Sequence, residues 1–329
     1  MKFGIWLEFR NPPRWKRPWS EIYEDSLSLA SEAEAAGFES VWLSEHHLTE
    51  DGYLPSLFPA LAAIAARTER IRLGTAMLLA PLQHPLRLAE DAAVTDLLTS
   101  GRLELGIAPG YREKEFDALD VPRAERGSRT DETVEILREA WAGRPFSFTG
   151  RHFRFNDVTV TPEPLQRPHP PLWIGGGSRA AAVRAGRYGC HFLPDLGTPA
   201  EIVDLYRSTL REHGHDPADF EVTAVVSPGI YVCEDAEQGW EEVKEHYLYL
   251  LNTYMEWFGN PTMASADELP REMFLVGPPD AIADGLRQRL KSLGQVDRVI
   301  FFGRAPGLPI DEARRSLDLF AEHVIPQFA

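Results

Sequence analysis

Short apolar runs alternate with helix-length amphipathic segments along nearly all 329 residues, and this rhythm constrains the fold more than any single motif. The runs are 2–9, the one beginning at 41, 71–77, 102–108, 172–175, 190–193, 221–232 and 298–302. Between them lie helical patterns at 19–36 (Ser20 as cap, Gly37 as stop), 57–67, 85–99, 130–141, 179–188, 199–213 with Thr198 as cap, 236–258, 279–293 and 311–324. Eight strands alternating with eight or more helices predict α/β architecture, a (β/α)8 TIM barrel. One domain over 1–329 is expected, with inserted loops and a β-hairpin at 146–160, where aromatics alternate about Thr149-Gly150. The polar stretch 259–273 reads as a lid or as a surface loop.

Strand alternation assigns sides. Phe3, Ile5, Leu7 and Phe9 form an apolar face suited to covering helices, which turns Trp6 and Glu8 inward. In Val41-Trp42-Leu43-Ser44-Glu45-His46-His47-Leu48-Thr49-Glu50 the same rule turns Trp42, Ser44 and His46 inward and His47 away. It also predicts that Arg72 and Glu104 meet inside the lower barrel as a structural ion pair. A net charge of -16 argues against nucleic acid and anionic membranes. No apolar run reaches the roughly 20 residues of a membrane span. Met1-Lys2 leads directly into a strand, so no signal peptide is expected. Cys190 and Cys233 are too few for a disulfide framework or a thiolate metal site. These features predict a soluble cytoplasmic protein with no metal.

Three strand ends carry the chemistry. His46, inward at a barrel mouth, suits proton transfer near neutral pH, or is a buried histidine held by a backbone carbonyl. Pro171-Leu172-Trp173-Ile174-Gly175-Gly176-Gly177-Ser178-Arg179 ends a strand in three glycines and starts a helix, the arrangement of a phosphate site; the alternative is a tight turn. It matches neither a Rossmann fingerprint nor a P-loop. Gly74-Thr75-Ala76-Met77 offers small residues on which a flat ring can lie, or simply close packing.

Taken together, these motifs resemble the bacterial luciferase-like flavin-dependent monooxygenases of the luciferase-like/F420 superfamily. The resemblance runs through Met1 to Gly4, Gly37-Phe38, Val41 to Leu43, Glu45-His46-His47, Leu73 to Ala76, His84 to Asp91, Ser100 to Arg102, Pro171 to Ser178 and Gly277-Pro278. It implies His46 as the catalytic acid/base and a cis peptide at Ala76–Met77 beneath a flavin ring. Gly175, Gly176, Gly177 and Ser178 are implied at the flavin phosphate, with Glu45, Gly110 and Tyr111 as further cofactor contacts. Trp6, Glu8, Trp42 and Phe192 are then expected in the substrate pocket. The implied reaction takes reduced FMN from a separate flavin reductase, since no NAD(P)H fingerprint is present. O2 then oxygenates a hydrophobic small-molecule substrate through a flavin C4a-hydroperoxide. Pro109 departs from bacterial luciferase, which has an arginine there; Arg112 stands near in the sequence. Two other readings are an F420-dependent hydride-transfer enzyme, with a basic groove from Arg112, Arg123, Arg126 and Arg129, and a non-catalytic flavin-binding partner subunit. The Ala/Leu-rich helices at 57–67 and 85–99 read as a homodimer surface or as ordinary packing on the barrel, and the resemblance implies a homodimer.

Overall fold

The computed structural model describes residues 1–194, 197–226 and 229–328. Eight parallel strands form the barrel: β1 Lys2–Trp6, β2 Ser40–Leu43, β3 Arg72–Thr75, β4 Leu103–Ala108, β5 Leu172–Gly175, β6 His191–Leu193, β7 Thr223–Val226 and β8 Arg298–Phe302. Each pairs with its sequence neighbour, β8 pairs with β1, and β6 meets β7 through a Phe192–Val222 bridge. The ring therefore runs in chain order. Helices α1 Trp19–Ala36, α2 Leu57–Ala65, α3 Pro85–Leu98, α4 Glu113–Ala118, α5 Arg126–Ala140, α6 Arg179–Arg187, α7 Ala200–Glu212, α8 Ala236–Trp257, α9 Pro279–Leu293 and α10 Ile310–Leu319 are joined to it.

The outward faces of the strands pack on these helices as alternation requires. Phe3, Ile5, Val41, Leu43, Leu73, Leu103, Leu105, Ile107 and Ile174 all belong to one continuous apolar core. Leu7 and Phe9 join it from beyond β1, which ends at Trp6 rather than at residue 9. The 146–160 hairpin pairs Phe146–Thr149 with Arg154–Val158. The expected strand at 221–232 is two: β7, and Ile230–Val232, which pairs instead with Leu275–Gly277; residues 227 and 228 lie outside the described residues. The cap of α1 is Pro18, not Ser20; Gly37 ends that helix at φ 94°. Helix α4 carries no long apolar period and escaped prediction. No helix among the described residues is long and apolar enough to cross a membrane.

The floor of the barrel is ionic. Arg72 bonds Glu104 as expected, and Arg298, which sequence reasoning did not place, adds a bond of 2.6 Å to the other carboxylate oxygen. Arg298 reaches Glu221 as well, and Lys2 bonds the same carboxylate. Burial raises the Glu104 carboxyl, but the two arginines outweigh it and hold it below its ordinary range. Above this floor Trp42, Trp173 and Ile300 fill the interior. Gly74 is required here, since a Cβ would lie 2.3 Å from the Trp42 ring. Among the described residues the interior is thus filled below, and its cleft opens at the C-terminal ends of the strands.

Candidate active site

A cleft of about 820 Å³ opens at those strand ends. Its wall includes Trp6 after β1, Ser44, Glu45 and His46 after β2, and Ala76 and Met77 after β3. Gly110 and Tyr111 follow β4, and Gly175, Gly176, Gly177 and Ser178 end β5. The imidazole and the glycine run, 129 positions apart in the chain, therefore face one space. The Ala76–Met77 peptide is cis, as the resemblance implied.

Three expected pocket residues lie elsewhere. Trp42 faces inward but sits one layer lower, its indole N–H bonded to Ser40 Oγ at 2.9 Å. Phe192 faces outward and packs on Tyr206 of α7; its neighbour Leu193 is the inward one and lines the cleft. Glu8 lies beyond the end of β1, buried against Arg10 at 2.5 Å.

His46 is held from both ring nitrogens. Nδ1 lies 2.9 Å from Oε1 of Glu115, a fully buried carboxylate on α4. The same oxygen accepts the His47 N–H at 2.9 Å and Arg112 at 3.0 Å. Burial raises the Glu115 carboxyl, yet these donors together hold it below the ordinary carboxylate range. Burial also pushes His46 below its ordinary 6.5, against the pull of Glu115. Short N···O contact alone would read as an ion pair, but desolvation outweighs it and favours the neutral imidazole, with Nδ1–H facing the carboxylate. Nε2 is then a lone-pair acceptor, and the Tyr111 hydroxyl sits 3.2 Å from it. His47 turns away to Glu45, as alternation required, and Glu45 also accepts the Leu79 N–H at 2.8 Å, fixing the turn after β3.

Opposite, α6 begins with Ser178 as its cap, the hydroxyl accepting the Ala181 N–H at 3.2 Å. Gly176 has φ 118° and donates its own N–H to Leu193 O. Arg126 and Arg184 line this end, Arg184 braced by Asp131 at 2.7 Å. Gly175 keeps the wall flat: a Cβ there would meet Met77 Sδ at 2.7 Å. A helix N-terminus, a serine hydroxyl and two arginines are the donor set for a phosphate, and glycines leave room beside it for a flat ring. A phosphorylated flavin therefore fits these residues.

Sequence reasoning missed Glu115, Tyr53, Tyr254, Phe258, Arg184, Val225 and Phe302. Val225 and Phe302 were within reach of strand alternation. The others come from loops and helices whose approach to the mouth is set by tertiary packing.

Residues 1–296 match the family model of the luciferase-like monooxygenases. The chain is 29% identical over 272 residues to the oxygenase component of the flavin-dependent trigonelline monooxygenase of Acinetobacter baylyi, spanning 79% of this chain and 72% of that protein. Monooxygenase RslO1 from Streptomyces bottropensis is 30% identical, with a TM-score of 0.86 over 100% of both chains. The oxygenating constituent of 3,6-diketocamphane monooxygenase from Pseudomonas putida, solved with FMN, shares the fold at a TM-score of 0.81 and 18% identity, over 99% and 98% of the two chains. A barrel whose mouth unites His46 with the glycine-lined start of α6, matched along most of its length by this family, makes the chain an enzyme of the flavin-dependent luciferase-like monooxygenase family.

Proposed function

We propose that the protein is the oxygenase component of a two-component system, taking reduced FMN from a separate flavin reductase and O2 from solution to oxygenate a hydrophobic small molecule. The observation that carries this reading is the polarity of the cleft, with anion-binding groups at α6 and the buried His46 imidazole facing the same space. The A. baylyi relative is itself named an oxygenase component, which supports a separate reductase. Reduced FMN, when bound, supplies the two electrons by which one atom of O2 enters the substrate and the other leaves as water.

The chain's own residues supply position, dryness and a proton site. Ser178, the first turn of α6, Arg126 and Arg184 would hold the phosphate. Ala76, Met77, Gly110 and Gly175 would bed the ring, with Glu45 fixing the loop behind Ala76 and Met77. Trp6, Phe302, Tyr254 and Phe258 would exclude water from the reacting atoms. His46 takes a proton at Nε2 while Glu115 keeps Nδ1–H in place.

Two observations favour FMN over F420. Arg112 is committed to Glu115, and Arg129 bonds Glu125 at 3.2 Å, so two of the four arginines expected to form a basic groove for a polyanionic tail are paired with carboxylates. The buried His46–Glu115 pair also speaks against a non-catalytic partner subunit. We further propose a homodimer through α3, whose Val94, Leu97 and Leu98 are exposed, Leu98 by 59%.

The test is anaerobic titration with reduced FMN and with reduced F420, followed by quenching of tryptophan fluorescence, then turnover with added flavin reductase. Saturable FMN binding at micromolar concentration and reductase-dependent consumption of O2 are expected. Tighter binding of F420, or none of reduced FMN, would overturn the reading.

A further inference from the structure

We propose that the substrate half of this cleft takes a neutral aromatic molecule bearing a free ring hydroxyl, a phenol, which gives its O–H to Nε2 of His46. This rests on the monooxygenase reading above and narrows it to a substrate class.

The place for such a hydroxyl is marked by the chain itself. The Tyr111 hydroxyl lies 3.2 Å from Nε2, and its ring stacks on Phe258 with centroids 4.8 Å apart and planes 18° apart. Tyr111 is in the loop after β4, and Phe258 closes α8 at the rim, 60% exposed. An incoming phenol can replace this side-chain phenol at Nε2 with no change in the histidine's own bonding. The ring of His46 is flanked by Tyr53 at 4.7 Å and Trp257 at 4.6 Å, and Trp6 stacks on Phe302 at 4.4 Å and 15°. These are faces and edges for another flat ring.

Charge decides what that ring carries. Among the residues lining the cleft, only Glu45, Arg126 and Arg184 are charged. Glu45 is taken up by Leu79 N–H, His47 and Gln83. Arg126 and Arg184 belong to α5 and α6, the helices before and after β5, whereas His46 follows β2. A carboxylate, sulfonate or ammonium group beside His46 would be desolvated where the nearby charges are already paired, Arg112 with Glu115 and Arg10 with Glu8. A neutral hydroxyl meets no such penalty.

A second feature fits an oxygenated ring. The Trp6 indole N–H donates to Ser44 Oγ at 2.7 Å, Ser44 Oγ lies 2.6 Å from Tyr53 Oη, and Tyr53 Oη lies 3.1 Å from Tyr254 Oη. Three hydroxyls joined by two contacts keep one proton over, whichever way the chain points. That proton can be donated to a further substrate oxygen. An aliphatic aldehyde or ketone could use this donor but has no O–H for Nε2.

The chemistry balances as hydroxylation. One ring C–H is replaced by C–OH with one atom of O2, and the ring is oxidised by two electrons. The second oxygen atom leaves as water with the two electrons and two protons of the reduced flavin. The phenolic O–H stays hydrogen-bonded to Nε2 during attack, which enriches the ring carbons in electron density without leaving a full charge in the cleft.

The experiment titrates the protein anaerobically, with and without reduced FMN, with 2-naphthol, its methyl ether 2-methoxynaphthalene, and decanal, read by calorimetry. The proposal expects 2-naphthol to bind roughly two- to tenfold more tightly than the ether, the range that one net hydrogen bond gives. His46→Leu should erase that preference. Tyr111→Phe, which removes the competing hydroxyl and tests the idea without touching the histidine, should tighten 2-naphthol several-fold and leave the ether unchanged. Equal binding of naphthol and ether, tighter binding of decanal, or a preference that survives His46→Leu would overturn the proposal. FMN binding is read in the same titrations. Its absence with the naphthol preference intact strikes the flavin reading, and its presence without the preference strikes this one.

Discussion

Replacing Glu115 by Gln tests the electrostatic account of the site with no change in side-chain size. Oε1 of Glu115 accepts three hydrogen bonds, from His46 Nδ1, His47 N and Arg112 Nη1, at 2.9, 2.9 and 3.0 Å. A neutral acceptor weakens each by about 1 kcal/mol. Arg112 is buried and also loses its counter-charge, although it keeps a bond to His47 O at 2.7 Å and its place over Trp257 at 4.3 Å. The loss in stability should then total about 3–5 kcal/mol, in the range for breaking a buried charge pair from one side. Urea unfolding reads this number. Histidine NMR reads the second consequence. Burial lowers the His46 pKa while Glu115 raises it, so removing the carboxylate must drive it further below 6.5. A loss under about 1 kcal/mol, or a His46 titration that moves upward, would refute the assignment of Glu115 as the group that positions the imidazole.

Four further outcomes are expected. Glu104→Ala leaves Arg298, 3% exposed, facing only Glu221, and should cost about 3–5 kcal/mol by urea unfolding. Gly106→Ala puts a Cβ 2.1 Å from the Thr75 carbonyl oxygen, which is backbone and cannot step aside; thermal denaturation should show a loss of about 1–3 kcal/mol or more. His46 and His191 both titrate below 6.5 in the folded chain because burial disfavours the cation, so unfolding takes up protons. Their stabilisation is complete above 6.5 and declines as pH falls below it; pH-dependent urea midpoints that stayed flat down to pH 5 would contradict this. Leu97→Glu together with Leu98→Glu should convert the proposed dimer to monomer by light scattering, and a wild-type chain already of monomer mass would remove that proposal.

The barrel was legible because its signal is periodic and local. Strand alternation put Ile5, Leu73 and Leu105 outside and His46 inside, and it anticipated the Arg72–Glu104 bond. It failed where a count from one end met a strand of different length. β1 stops at Trp6, so Glu8 is not a barrel residue at all. The run at 190–193 was short, and Phe192 was assigned inward without a second residue to fix the phase. Trp42 had the right side and the wrong depth, because alternation says nothing of layers. Arg298 and Glu115 were invisible for another reason: Arg298 meets Glu104 194 positions away, and Glu115, although Arg112 is three positions from it, meets His46 and His47 69 and 68 positions away. No spacing rule links such residues before the chain closes.

The last turn of α8 and the residue that caps it place Tyr254, Trp257 and Phe258 around the imidazole, while every group assigned to the phosphate comes from β5, α5 and α6. Part of the acceptor wall is thereby carried on one contiguous peptide, separate from the groups proposed to hold the nucleotide. Grafting that segment between homologues should transplant selectivity while sparing flavin affinity, and random mutation concentrated there should diversify the chemistry far faster than mutation of the strands.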